Sequence, residues 1–253
     1  MSDTVIDGGT AAANDPFSPT RWTLIRQAGG GNSADAQQAL NELCGIYWYP
    51  IYGYIRRRGA QHSDAQDLTQ SFLAHFMKGE LCSRATPAKG RFRALLMEAM
   101  KNFLNNDYRR SRRQKRGGGQ AHIPIDWLAA QEKYEADAAD HLTPDVYFDR
   151  ALAIRLLEMV MGRLAEDHLG KQPGREGGPL EFDLLKTHLA GDQEAIPYAT
   201  IAAKLGITEG NARIKVRRLR ERFSALFREE LSRICDPEFF EDEWQALQQA
   251  LMG

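Results

Sequence analysis

Asn211, Arg213, Ile214, Arg217 and Arg218 crowd one short stretch near the C-terminus, and their chemistry is recognition rather than bond-making. An asparagine amide can pair with adenine, a guanidinium with guanine, and an isoleucine with a thymine methyl, while further cations meet phosphates. Such groups read DNA only if one helix presents them together. The flanking residues supply that helix. Pro197 suits a first helical turn, and Tyr198, Ile201, Ala202 and Leu205 can be buried. Gly206 permits a tight turn, Ile207 can plug between the helices, and Thr208 can cap the second one. Ala212, Val216, Leu219 and Phe223 then follow at steps of 4, 3 and 4, an inward stripe. Gly210 falls on the opposite face with the recognition set. This is the pattern of a helix-turn-helix.

Charge segregation points the same way. The formal net charge is only -1, yet Lys204 to Arg222 hold seven cations against two acids, and Arg91 to Arg116 nine against two. Local fields govern encounters with a polyanion. In the earlier block Phe92, Leu95, Leu96, Ala99 and Phe103 form a buried stripe. Arg109, Arg110, Arg112, Arg113, Lys115 and Arg116 crowd its end, more cations than a helix dipole needs. A third element, Asp64 to Met77, carries an apolar stripe of Ala65, Leu68, Phe72 and Phe76. A second stripe begins at Leu73 and Met77 beneath Gln66 and Gln70, and is expected to stay partly exposed until a protein partner covers it. Asp64 and Asp67 read as helix-dipole partners; a hard metal needs more oxygen ligands.

Other classes find little support. There is no Gly-x4-Gly-Lys-Ser/Thr phosphate loop, and the six histidines form no triad or zinc spacing. No catalytic residue, metal or cofactor is expected, so the chain does not read as an enzyme. Cys44, Cys82 and Cys235 are odd in number and far apart, which fits a reducing cytoplasm. Met1 to Asn14 lack a signal-peptide pattern, and no apolar run approaches the roughly 20 residues of a membrane span.

The periodicity predicts an all-α chain of two small helical domains joined by a linker. Residues 1–17 read as a disordered tail and 18–116 as the first domain. Within it, helices are expected at about Thr20–Ala28, from Ser33 to Gly59 with Pro50 inside, at Asp64–Met77 capped by Ser63, and at Phe92–Arg113 after a loop with Gly79, Pro87 and Gly90. Gly117-Gly118-Gly119 opens an acidic linker, 117–143. The second domain, 144–235, begins with Leu152, Leu156, Val160 and Leu164 at helical spacing, and has helices at Leu180–Leu189, Tyr198–Leu205 and Thr208–Ile234. Residues 236–253 form a helical extension. Trp22, Trp48, Trp127 and Trp244 read as core or interface anchors.

With these motifs in place, the chain resembles the sigma-70 family, in particular its extracytoplasmic-function (ECF) group. Asp64-Ala65-Gln66-Asp67-Leu68-Thr69-Gln70 is similar to the family's Asp-Ala-Glu-Asp-Leu-x-Gln helix. Phe92-Arg93-Ala94 through Asn102 and Arg109-Arg110 are similar to its promoter −10 segment, and Tyr198 to Arg222 to its −35-reading helix-turn-helix. Leu95 stands where that family commonly has tryptophan, and Asn106 where it commonly has aspartate. The resemblance implies a factor that binds core RNA polymerase (β′ and β subunits), directs it to promoter DNA and assists melting. Asp64, Asp67, Gln70, Ser71, Leu73 and Met77 would meet polymerase. Arg91, Arg93, Lys101, Asn102, Asn105, Asn106, Arg109, Arg110, Arg112 and Arg113 would hold the −10 element. Thr208, Gly210, Asn211, Arg213, Ile214, Arg217 and Arg218 would read the −35 element. The loop Lys78–Lys89 would receive an unstacked base. An anti-sigma factor or other regulator is a further partner the resemblance admits, without membrane insertion. A homodimeric helix-turn-helix regulator is the alternative reading; it would not need the Asp64–Met77 helix.

Overall fold

The structure is a computed structural model and describes residues 23–31, 33–78, 80–85, 91–111, 125–137, 142–170, 178–189 and 195–252, with 107–111 described by their backbone alone. Among these residues every regular element is a helix, so the chain is all-α. The expected tail, Gly79, Pro87, Gly90 and the 117–124 part of the linker lie outside the described residues.

Helix α1 (Thr23–Ala28) leads into α2 (Ala34–Arg57), the longest helix of the N-terminal half. Ser33 is extended and its Oγ accepts from the Ala36 amide at 3.1 Å, satisfying one of the orphan N–H groups of the first turn. Arg56 and Arg57 occupy the last turn, where the helix dipole favours cations. Gly59, with φ of +94°, turns the chain away. Leu40, Leu43, Ile46, Tyr47, Ile51, Tyr52, Tyr54 and Ile55 of α2 are all buried. A helix apolar on nearly every side must be wrapped by others. It packs against α1, α3 (His62–Phe76) and, over the longest stretch, α7 (Pro144–Gly170).

Four helices differ from the sequence expectation; one of them, expected at Leu180–Leu189, runs Gly178–Lys186. Helix α3 begins at His62, and Ser63 is not its cap; Gln61 occupies that position without a side-chain bond. The reason is tertiary: His62 Nδ1 lies 2.9 Å from the Tyr52 hydroxyl of α2, which draws the helix start two residues earlier. The expected 78–89 loop contains a short helix, α4 (Glu80–Arg84), whose Cys82 is buried. The linker contains α6 (Trp127–Ala136), downstream of α5 (Phe92–Ser111). Asp126 caps α6, its Oδ1 accepting from the Ala129 amide at 3.0 Å. Trp127 meets Trp48 and Tyr52, and Tyr134 meets Tyr52 and Tyr147, so one face of the linker helix docks on α2 and α7.

Helix α7 is shared. One side packs on α2, and the other meets α8 (Gly178–Lys186), α10 (Glu209–Ile234) and α11 (Phe240–Met252). Between α8 and α10 lies α9 (Tyr198–Leu205), and a 3-10 turn, Pro237–Phe239, precedes α11. The buried side chains form one cluster, so helices before and after the 117–143 segment share a core in this arrangement. Ion pairs reinforce the closure: Arg163 of α7 bonds Glu229 (2.9 Å) and Glu230 of α10, and Arg233 of α10 bonds Glu42 of α2. No described helix is long and apolar enough to cross a membrane.

Candidate nucleic-acid interface and polymerase-docking face

The turn between α9 and α10 is built by three local choices. Gly206 adopts the left-handed conformation (φ 64°, ψ 33°), and the N–H groups of Gly206 and Ile207 both donate to the Ala202 carbonyl. Ile207 is half-buried against the core. Thr208 is extended, and its Oγ1 accepts from the Asn211 amide at 3.2 Å. From there Ala212, Val216 and Leu219 are buried, and the stripe continues through Leu226, Phe227, Leu231 and Ile234. Phasing then leaves Thr208, Gly210, Asn211, Arg213, Ile214, Arg217 and Arg218 all exposed. Ile214 is 49% exposed on this charged face.

The cations of this stretch fall into two sets. Lys215 bonds Glu181 of α8 at 2.7 Å, Arg220 donates to the His188 carbonyl at 2.9 Å, and Arg222 bonds Asp167 of α7. These three tie α10 to its neighbours. Arg213 pairs with Glu209 and lies 4.9 Å over the Tyr198 ring; Arg217 pairs with Glu221 at 2.8 Å. Both are i,i+4 pairs in solvent, worth little, and readily exchanged for phosphate. Arg218 has no ion pair among the described residues.

On α3, Ala65, Phe72 and Phe76 are buried and the Thr69 hydroxyl donates to the Ala65 carbonyl at 2.6 Å. Asp64 and Asp67 are exposed, and Gln70 and Ser71 half-buried. The expected second stripe is partly exposed only at Met77, Gln66 and Gln70 and is closed at Leu73. Leu73 is wholly buried, and Met77 is half-buried with its Sδ 3.3 Å from Cys44 Sγ. Helix α2 supplies the cover that was ascribed to a partner. Leu73 therefore belongs to the core and not to an outward face, and the outward edge of α3 is Asp64, Asp67 and Ser71.

On α5, Asn102, Asn105 and Asn106 are exposed, whereas Arg91, Arg93 and Lys101 face acids from distant helices. Arg93 bonds both carboxylate oxygens of Glu243 in α11 (2.8 and 2.9 Å) and pairs with Asp149 of α7. Burial works against its charge, but the Glu243 and Asp149 carboxylates outweigh that effect and raise its pKa. Arg91 meets Asp242 at 2.9 Å, and Lys101 meets Asp145 at 2.5 Å. A groove of about 410 Å³ between α5 and α7 is lined by Arg93, Met97 and Lys101 on one side and Asp145 and Asp149 on the other. These acidic partners lie too far along the chain for any local pattern to reveal them. Asp242 and Glu243 belong to the C-terminal helical extension, some 150 residues from the arginines they meet. The side chains of Arg109 and Arg110, and all of Arg112 and Arg113, lie outside the described residues.

Among the described residues no three His, Cys, Asp or Glu side chains converge to hold a metal. Cys44, Cys82 and Cys235 are free and buried.

An all-α fold that presents a cation-bearing helix beyond a tight turn has the form of a DNA-binding transcription protein. The family model for ECF sigma factors matches residues 24–165, more than half of the chain, and the chain belongs to that family. No curated protein and no solved structure matches it. ECF sigma factors are non-enzymatic regulators that bring RNA polymerase to promoters, so polymerase and promoter DNA are the partners, often with an anti-sigma factor. The matched stretch ends within α7; α8 to α11 lie beyond it.

Proposed function

We propose that this sigma factor docks on the β′ and β subunits of core RNA polymerase, reads a −35 element with α10, and holds and helps melt a −10 element with α5. The observation that carries the reading is the phasing of α10. All seven of its assigned recognition residues face solvent while Ala212, Val216 and Leu219 pack inward. Asn211 and Arg213, near the helix start, suit base edges; Arg217 and Arg218, later, suit phosphates. Asp64, Asp67 and Ser71 supply the edge of α3 that meets polymerase, with Gln70 beside them. Asn102, Asn105 and Asn106 line the open face of α5, and amides can hydrogen-bond bases as they unstack.

Distance argues for two separable units, 18–116 and 144–235. Elements named −35 and −10 lie about 25 base pairs apart, roughly 85 Å at ~3.4 Å per base pair. A compact chain of this length has a radius of gyration of roughly 18 Å, too small to touch both. The arrangement in which α2, α7 and α10 share one core is accordingly that of the free protein, and the 117–143 segment pays out when the factor engages polymerase in the cytoplasm.

Run-off transcription tests the reading: purified core polymerase should yield promoter-specific transcripts only when the chain is added. A chain that ignores polymerase and binds a palindromic operator as a homodimer would overturn it.

A further inference from the structure

We propose that α11 is an intramolecular latch: in the free chain its carboxylates occupy the cations of α5, and the promoter strand must displace them. The proposal rests on the reading of α5 as the −10 face. The geometry around Arg93 carries it. Glu243 takes Nε and Nη2, and Asp149 takes Nη1, so all three guanidinium nitrogens are bonded to carboxylates. A phosphate would use the same two-point edge that Glu243 now fills. Arg91 is held likewise, by Asp242 at 2.9 Å and Glu243 at 3.6 Å, and Lys101 by Asp145. Each of the three described cations assigned to the −10 element is therefore closed by an acid from the C-terminal half.

The latch is built, not incidental. Glu241, Asp242 and Glu243 form the first turn of α11, where the helix dipole favours negative charge. Glu243 is 5% exposed and Leu247 1%. Trp244, next in sequence, sets its ring edge-on to Phe227 of α10 at 4.9 Å. Helix α11 thus bridges the C-terminal part of α10 and the −10 face, and its release would uncover the cations at the start of α5. Carboxylates on cationic side chains imitate phosphates, so strand and latch exclude each other at Arg91 and Arg93.

The 253-residue chain and its Asp242→Asn, Glu243→Gln variant are titrated into a fluorescein-labelled single-stranded DNA of random sequence, about 15 nucleotides long. Anisotropy should report affinity about fivefold higher for the variant, with a steeper salt dependence as freed cations reach phosphate. Adding Arg91→Ala and Arg93→Ala should abolish the gain. If the acid substitutions change nothing while the arginine substitutions weaken binding, the latch is wrong and the −10 reading stands. If the arginine substitutions have no effect in either background, both readings fall. Asp242→Asn alone, at a solvent-exposed side chain, serves if the double variant folds poorly. Hydrogen exchange on the unmodified chain gives a second reading: saturating single-stranded DNA should strip protection from 240–252, and unchanged protection overturns the latch.

Discussion

Gly53 of α2 and Tyr147 of α7 touch so closely that a Cβ at position 53 would lie 2.2 Å from Tyr147 Cε1 and 2.9 Å from Cδ1. The ring cannot simply withdraw. It is 1% exposed, its hydroxyl is 3.3 Å from that of Tyr49, Tyr134 stands edge-on to it, and the Arg57 guanidinium lies 4.8 Å over its face. The glycine is what lets α2 and α7 approach so closely. Alanine would gain up to ~1 kcal/mol of helix propensity. Overpacking costs about 1–3 kcal/mol and should win. Gly53→Ala is expected to lower the unfolding free energy by about 1 to 2 kcal/mol, read by urea unfolding, and an unchanged midpoint would show that α7 has room to shift.

Leu73 and Asp67 lie six residues apart on α3 and should separate stability from docking. Leu73 is wholly buried, so Leu73→Ala should cost about 2–5 kcal/mol. Asp67 is exposed in the middle of the helix, and Asp67→Ala should change stability by less than ~0.5 kcal/mol. Its effect belongs in co-purification with core polymerase, which should drop several-fold. Wild-type recovery of polymerase with Asp67→Ala would move the docking face elsewhere.

Legibility in the sequence divides along the range of the interactions. The α10 stripe was readable because helical period and burial are local facts: Ala212, Val216 and Leu219 are all buried. The Gly206 turn and the Thr208 and Ser33 caps were readable for the same reason. What failed was long-range. Leu73 looked like exposed apolar surface until α2 covered it. Lys215, Arg220 and Arg222 add to the local excess of cations, but Glu181, the His188 carbonyl and Asp167 hold them within the fold, which no local pattern announces. Ser63 looked like a cap until the Tyr52 hydroxyl fixed His62. Helix α6 lay between these extremes, since Trp127, Ala130 and Tyr134 share a face only if the acidic linker is helical.

Arg217 and Ile214 are expected to fail in different ways. The Arg217 guanidinium is solvent-exposed and, among the described residues, bonded only to Glu221, one turn on along the same helix. If it meets phosphate in the complex, Arg217→Ala should weaken binding of all duplexes alike and reduce the salt slope by about 1. Ile214→Ala should leave that slope unchanged and relax preference at one base pair, since an apolar contact releases no counterions. Equilibrium binding to a −35 duplex at several salt concentrations tells them apart. Identical behaviour of the two variants would argue that α10 does not lie in the groove as assigned.

The three cysteines give a reactivity test of closure. Burial pushes each thiol from an ordinary 9.0 up to about 12, and for Cys235 the nearby Glu243 carboxylate adds to it. A thiol with pKa about 12 is roughly one part in ten thousand thiolate at pH 8, too little for ready attack on dithionitrobenzoate. Native protein should release almost no chromophore, and guanidinium-unfolded protein three equivalents. The raised values also set an alkaline limit. Below pH 9 folded and unfolded thiols are alike protonated, and their contribution to stability is whole. As pH climbs from about 9 to about 12 only the unfolded chain ionises, so stability falls across that window. Cys235 carries the sharper test, because it immediately precedes the turn that leads into α11. Displacing α11 removes Glu243 from its neighbourhood and opens it to water. Single-stranded DNA should then accelerate labelling of Cys235 while Cys44 and Cys82, buried in the N-terminal half, stay protected. Equal acceleration at all three would indicate general loosening rather than release of one helix.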